Sequence, residues 1–220
     1  MPGVGPSVGL RRGASHRGNW RHPGRCGLQL AIKRLDGRGR YETVITRDDG
    51  VIYWLRGVGH DFAIPHDLAH YVIERALGLD DGFWGTIADG AVFPTMHYRS
   101  GRRAPKAAAR SHALLAANVR KLIDAEVLVR LFNDSLERGD DCRSAKQRAA
   151  VDEALASFEG RQRAVDQQTI SRIHDDYAHV LGMWMSTKVG CELELRWARP
   201  GRCDSGDGAK THHFAIEGSR

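Results

Sequence analysis

Hydrophobic and polar positions alternate in three short runs in the first third of the chain. The runs LQLAIKRL (28–35), RYETVITR (40–47) and VIYWLRGV (51–58) are rich in the β-branched and aromatic residues that favour strands. The turn sequences DGRG and DDG separate them, and Asp-Gly between apolar runs is typical of tight hairpins because glycine tolerates positive φ. The pattern predicts a three-stranded antiparallel meander over residues 28–58.

A helical repeat follows the meander. Pro65 suits the first turn of a helix and Gly78 suits its C-terminal end, which predicts a helix from about residue 65 to residue 77. Apolar residues then recur at intervals of three and four through about 107–137. Residues 144–158 and 163–186 are typical of two further helices, so the sequence predicts about four helices in all.

The last regular pattern is an alternation of period two. Between Val189 and Trp197 every second residue is apolar, while Glu192, Glu194 and Arg196 fill the intervening positions, as in a half-buried strand. The sequence of residues 79–93 predicts a compact loop or a short helix, and that of residues 94–106 predicts a polar, basic connection. The fold class expected is α+β, in which an antiparallel β-meander plus a C-terminal strand packs against about four helices as one domain over residues 28–197.

The charge of the chain is concentrated at its start. The 220 residues carry a formal net charge of +6, but residues 1–27 hold five arginines and no acid, which leaves the remainder nearly neutral. We interpret residues 1–27 as a disordered Arg/Gly-rich tail and residues 198–220 as a flexible C-terminal tail. An alternative use of the N-terminal tail is contact with nucleic-acid phosphates.

Composition also bears on the cellular compartment. No apolar run approaches the roughly 20 residues that span a bilayer, and the first residues lack the apolar core of a secretory signal. The four cysteines show no C-x-x-C pair, and we assign them no role. These features predict a cytoplasmic protein with reduced thiols and no membrane partner.

The candidate chemistry lies in IPHDLAHYVIERALGL (64–79). His66 and His70 are four residues apart, so both imidazoles project from one face of the predicted helix and can bind one metal ion, Zn²⁺ or another divalent transition metal. Glu74, one turn further on, is a candidate third ligand or a partner that orients His70. The other candidates for the third ligand are His60, Asp61, His97 and His174.

The spacing is partly similar to the H-E-x-x-H motif of zincin-type metallohydrolases. In that motif a glutamate after the first histidine acts as the general base, and here Asp67, one methylene shorter, has its place. The leading hypothesis is therefore a metal-dependent, zincin-like hydrolase with Asp67 and Glu74 as candidate catalytic residues. The competing hypothesis is a non-catalytic binding or adaptor domain in which the histidines are structural.

A second histidine cluster, IHDDYAHVLGMW (173–184), is a weaker candidate for a functional site than the first. On a helical wheel of about 100° per residue, His179 faces away from the apolar residues of its own helix, and His174 lies at their edge. The cluster therefore predicts a solvated helix face.

The motif around the histidine helix resembles that of a group of small uncharacterised bacterial proteins. In that group a β-meander precedes P-H-D-L-x-H-x-x-x-E and then L-G-L-x-x-G-F-W-G. The matching residues here are Pro65, His66, Asp67, Leu68, His70, Glu74, Leu77, Gly78, Leu79, Gly82, Phe83, Trp84 and Gly85. The resemblance covers about residues 28–97, and it implies the same order of meander and helix and no particular chemistry.

Overall fold

The fold is described from a computed structural model, which covers residues 27–36, 38–58, 64–138, 144–158 and 165–198. Five strands and six helices follow one another in this part of the chain. They are β1 (Gly27–Arg34), β2 (Arg40–Arg47), β3 (Ile52–Val58), α1 (His66–Leu77), α2 (Phe83–Ala88), β4 (His97–Ser100), α3 (Ala107–Ala117), α4 (Val119–Arg138), α5 (Ala145–Leu155), α6 (Gln167–Ser186) and β5 (Glu192–Ala198).

The strands form one antiparallel sheet in the order β4-β3-β2-β1-β5. Leu30 of β1 lies opposite Ile45 of β2 on one side and opposite Leu195 of β5 on the other, and all three are buried. Because paired residues share a face, the period-two pattern of each strand places its apolar side chains on the same side of the sheet. The α+β class, the meander and the pairing of the C-terminal strand with it are confirmed.

Helices α1 and α6 pack on the apolar face of the sheet. Tyr71 of α1 packs edge-on against Trp197 of β5, and Trp184 of α6 packs in the same way against Tyr41 of β2. Helix α1 also contacts α4, which in turn contacts α5. Helix α1 therefore lies between the sheet and α4, and this position explains why most of its residues are buried.

Two elements differ from the sequence-based expectation. The connection 94–106 contains β4, a short strand that pairs with β3. Its side chains are all exposed, so its sequence shows no apolar alternation that would predict a strand. The predicted helix 107–137 is two helices, which meet at Asn118. Asn118 has φ −101° and ψ 7°, and its side-chain amide donates a hydrogen bond to the Thr86 hydroxyl, so a tertiary contact accompanies the break.

The predicted ends of α1 are confirmed. Pro65 precedes the first helical residue, and its carbonyl accepts the first intrahelical hydrogen bond, from Ala69. Gly78 ends the helix at φ 60°, a left-handed conformation that glycine adopts without strain. The wheel of α6 is also confirmed, because His179 is exposed while Ile173 is fully buried.

Some expectations fall outside the described residues. They are the two tails, apart from Gly27 and Ala198, which belong to β1 and β5, and the candidate ligands His60 and Asp61. The nucleic-acid hypothesis for the N-terminal tail lies outside them as well. Among the helices of the described residues, none combines the length and apolar character needed to cross a membrane.

Candidate metal centre

The first two turns of α1 carry two histidines whose side chains meet. The rings of His66 and His70 are edge to face with centroids 4.7 Å apart, and their Nε2 atoms are 3.2 Å apart. This convergence follows from the helical repeat, because residues i and i+4 lie above one another on the same face. His70 is buried, whereas the His66 side chain is 53% exposed, so the pair runs from the core to the surface.

A carboxylate from α4 completes the cluster. Glu126 places Oε2 3.1 Å from His66 Nε2 and Oε1 3.2 Å from His70 Nε2. One Nε2 or carboxylate oxygen from each of these three residues lies within 4.8 Å of the others, which is close enough for the three residues to hold one metal ion. Sequence reasoning missed Glu126, because it lies far along the chain and reaches the histidines only through the packing of α4 on α1.

The separations among these atoms suit a metal ion. Bonds of about 2.0–2.2 Å from Zn²⁺ to imidazole nitrogen and carboxylate oxygen put neighbouring ligand atoms about 3.0–3.5 Å apart. The two imidazole Nε2 atoms are 3.2 Å apart, which falls in that range, and a different oxygen of Glu126 lies nearest each of them, at 3.1 and 3.2 Å. Two imidazoles and one carboxylate also form the donor set of several catalytic zinc and non-haem iron centres, which keep further positions open.

Glu74 lies behind His70 rather than within this cluster. Its carboxylate accepts hydrogen bonds from His70 Nδ1 at 2.9 Å and from the backbone N–H groups of Phe83 at 2.8 Å and Trp84 at 3.2 Å. Since a carboxylate only accepts, Nδ1 carries the proton, and Nε2 is the nitrogen directed towards His66 and Glu126. A buried carboxylate that fixes the tautomer of a histidine in this way is the usual partner of a metal-binding imidazole.

The glycines of the GFWG segment allow this arrangement. A Cβ added at Gly82 would lie 2.7 Å from Cδ of Glu74, which is closer than real side chains approach. Glycine therefore lets the start of α2 close over the carboxylate and donate its backbone N–H groups. Of the two aromatic residues, Phe83 places its ring 5.0 Å from the His70 ring, and Trp84 is fully buried in the core.

Proton affinities in the cluster are strongly perturbed. Burial alone would lower the pKa of His70, but hydrogen bonds and charge interactions with Glu126 and Glu74 outweigh it and raise the pKa to about 9. Hydrogen bonds from His66 and His70 hold the pKa of the Glu126 carboxyl well below its ordinary value. The raised pKa favours a protonated His70 between the two carboxylates, and a metal ion that binds Nε2 would have to displace the proton there.

Asp67 occupies a different environment. Its Oδ2 accepts a hydrogen bond of 2.6 Å from the Thr43 hydroxyl of β2, and its backbone carbonyl accepts one of 3.3 Å from the Trp84 indole. Burial raises the pKa of Asp67 above its usual range, and burial beside Asp67 also raises that of Tyr41. These contacts attach the first turn of α1 to the sheet.

Two other candidate ligands lie elsewhere in the fold. His97 is exposed on β4 and stacks on Trp54 with ring centroids 4.6 Å apart. His174 lies on α6, and its Nε2 is buried without a hydrogen-bond partner among the described residues. Neither belongs to the His66–His70–Glu126 cluster.

No family model, no curated protein and no solved structure matches this chain.

The substitution Gly82→Ala tests whether Glu74 positions His70. The added methyl group overlaps the Glu74 carboxylate and leaves all three proposed ligands in place. We expect zinc affinity to fall about 10- to 100-fold, the usual consequence of disturbing a partner that orients a metal ligand. A competition titration with a chromophoric chelator measures the affinity, and unchanged zinc binding by a folded Gly82→Ala protein would contradict the positioning role.

The pKa of His70 predicts how the stability of the metal-free protein depends on pH. The folded pKa of about 9 exceeds the ordinary value of 6.5, so between these values the folded state binds more protons than the unfolded state. The contribution of His70 to the free energy of unfolding should therefore be fully present below pH 6.5 and be lost as pH rises towards 9, by at most about 1.4 kcal/mol per pH unit. Urea denaturation with a chelator present, at pH values across this window, measures it, and a rise in stability would contradict the assignment.

Proposed function

We propose that the protein is a metal-dependent hydrolase whose centre consists of His66, His70 and Glu126. The observation that carries the proposal is the fully buried Glu74, which accepts the Nδ1 proton of His70 and leaves Nε2 beside the other two ligand atoms. Zn²⁺ is the first candidate ion because two imidazoles and one carboxylate are a known catalytic zinc set, and Fe²⁺ or another divalent transition metal is the alternative.

The exposure of the cluster supports a catalytic use over a purely structural one. Structural zinc sites are closed by four protein ligands, whereas His66 and Glu126 have side chains 53% and 55% exposed. Solvent and substrate can therefore reach the side of the cluster that is opposite Glu74. A Zn²⁺ ion held by His66, His70 and Glu126 would supply a Lewis acid and would lower the pKa of water bound there to about 7.

The roles of the surrounding residues follow from their contacts. Glu74 orients His70 and takes no part as a ligand in this proposal. Asp67, the candidate base by similarity to the zincin motif, has one carboxylate oxygen bound to Thr43, so we assign it to anchoring α1 on the sheet. Phe83 packs against the His70 ring and shields the buried side of the cluster from water. The four cysteines stay reduced in this proposal, because we place the protein in the cytoplasm.

The second candidate function is a non-catalytic binding or adaptor domain with structural histidines. The observation that favours it is a row of exposed apolar side chains on α4, in which Val119 is 55%, Ile123 53% and Val127 39% exposed. Apolar residues at intervals of four form a continuous strip on a helix, and such strips mark interaction surfaces. In that case the ion pairs of Glu126 with His66 and His70 only join α4 to α1.

Hydrolysis by metal-loaded protein tests the leading proposal. Purified chain without a His tag is stripped with a chelator, reloaded with Zn²⁺, Fe²⁺ or Mn²⁺, and screened against chromogenic ester, amide, phosphoester and lactam substrates. We expect one substrate class to be turned over by the reloaded protein alone. Glu126→Gln should lower kcat/KM for that class at least about 100-fold, because it removes an anionic ligand.

The control for this experiment is Asp67→Asn, which keeps the cluster intact. If Asp67 only anchors α1, the variant should bind metal as the wild type does and keep its activity to within about three-fold after correction for the folded fraction. A loss of activity with metal binding retained would restore Asp67 as a catalytic base. Stoichiometric metal with no turnover of any class would favour the binding domain.

A further inference from the structure

A cleft lies between α3, the β2–β3 turn and the end of α2, and it shares no lining residue with the histidine cluster. Its volume is about 780 Å³, within the range of small-molecule sites. The wall contributed by α3 and the residues before it carries small apolar side chains and one leucine beside two arginines. The apolar residues of this wall are Ala104, Ala107, Ala113, Leu114 and Ala117.

Three arginines from separate segments line the same cleft: Arg47, Arg103 and Arg110. Arg47 ends β2, Arg103 lies in the connection after β4, and Arg110 lies on α3. Guanidinium groups that approach one cleft from three segments are suited to an oxyanion, because each presents several N–H donors in one plane.

Aromatic rings hold two of these guanidinium groups in place. Arg47 lies over the Tyr53 ring at 5.8 Å, Arg103 lies over the Tyr98 ring at 4.7 Å, and the two tyrosine rings meet edge to face at 6.1 Å. The Tyr98 hydroxyl also donates a hydrogen bond of 2.5 Å to the carbonyl of Gly101, two residues before Arg103. This arrangement orders long side chains before any ligand arrives, which lowers the entropic cost of binding.

The acidic residues of the cleft have partners, whereas two of its arginines form no ion pair among the described residues. Asp49 pairs with Arg47, Asp48 accepts a hydrogen bond from the Gly27 backbone N–H, and Asp89 is also engaged. Within the described residues, by contrast, Arg103 and Arg110 make no ion pair. Two cations without carboxylate partners therefore face a cleft with an apolar wall.

We propose that this cleft binds a small amphipathic anion, in which a phosphate or carboxylate group meets Arg103 and Arg110 and an apolar body lies against α3. Arg47 is already paired with Asp49, so in this proposal it lies beside the anion and does not neutralise the charge of the anion. Charge-assisted hydrogen bonds to guanidinium groups supply the specificity, and the alanine-rich wall supplies apolar contact. The site is independent of the metal proposal, because none of its lining residues belongs to the histidine cluster.

Octyl phosphate is the probe for this site. It is titrated below its micellar concentration into the full chain by isothermal calorimetry, with a chelator present so that no metal at the histidine cluster can bind the phosphate. Octanoate tests the carboxylate form of the same chemistry, and 1-octanol and octylamine test for binding driven by the alkyl chain alone. We expect saturable 1:1 binding of octyl phosphate or octanoate and no saturable binding of the alcohol or the amine.

Substitutions assign the binding to the cleft. Arg103→Gln and Arg110→Gln should each weaken binding of the anionic probe about 10-fold or more, and added sodium chloride should weaken wild-type binding. The matched control is Arg102→Gln, an exposed arginine one residue away that does not line the cleft, and its affinity should stay within about two-fold of wild type. No saturable binding, equal binding of octylamine, or equal loss in all three variants would overturn the proposal.

Discussion

Replacement of His70 by alanine should abolish stoichiometric zinc binding. The substitution removes an imidazole that contacts His66, Glu126 and Glu74 together. Structural zinc sites bind with apparent free energies of about 10–16 kcal/mol spread over four ligands, so one ligand corresponds to roughly a 100- to 1000-fold loss of affinity. Competition titration of untagged protein against a chromophoric chelator measures the change.

The control for His70→Ala is His112→Ala, which removes an exposed histidine on α3 that is outside the cluster. It should bind zinc as the wild type does. His70→Ala also leaves Glu74 buried with two of its three hydrogen-bond donors, so thermal unfolding is followed in parallel to confirm that the variant is folded. A folded His70→Ala protein with wild-type zinc affinity would contradict the proposed centre.

Gly85→Ala should be the most destabilising of the single-methyl additions considered. A Cβ at Gly85 would lie 1.7 Å from the carbonyl oxygen of Asp80 and 2.3 Å from its carbonyl carbon. Both atoms belong to the backbone, so the clash can be relieved only by moving the segment that joins α1 to α2. We expect a loss of about 3 kcal/mol or more in the free energy of unfolding, seen as a fall of roughly 10 °C in Tm.

The matched control is Gly182→Ala, in the middle of α6. A Cβ there meets no atom within 4 Å, and alanine is the better helix former by about 1 kcal/mol. The same chemical change should therefore stabilise the protein by about 0.5–1 kcal/mol at position 182 and destabilise it at position 85. Similar effects at the two sites would show that the approach of Gly85 to Asp80 is not a rigid contact.

Much of the fold could be predicted because its signals are local. The turn at Asp49 and Gly50, the alternation in β5 and the glycine after α1 each act within a few residues, and all three features are present in the structure. Strand β4 escaped prediction because its four residues are all exposed, so no apolar period marks it. The break at Asn118 was missed because the apolar spacing continues through it, while the hydrogen bond to Thr86 depends on tertiary packing.

In the candidate site, too, the features that arise within one helix could be predicted, and those that depend on tertiary packing could not. The meeting of His66 and His70 follows from the repeat of one helix, and so does the reach of Glu74 to His70. Glu126 is one of 27 acidic residues and comes 56 positions after His70, so only the packing of α4 on α1 identifies it. The role of Glu74 also depends on the fold, because the backbone N–H groups of Phe83 and Trp84 hold its carboxylate behind the histidine.

The central claim is that α1 and α4 together bind a metal ion. The most direct measurement is the metal content per chain, by elemental mass spectrometry, of untagged wild type, Glu126→Gln and Glu153→Gln after dialysis against zinc. Glu153 is an exposed acid on α5 and serves as the control. We predict about one zinc per chain in the wild type and in Glu153→Gln, and far less in Glu126→Gln. A metal-free wild type, or a Glu126→Gln protein that retains one zinc, would contradict the claim.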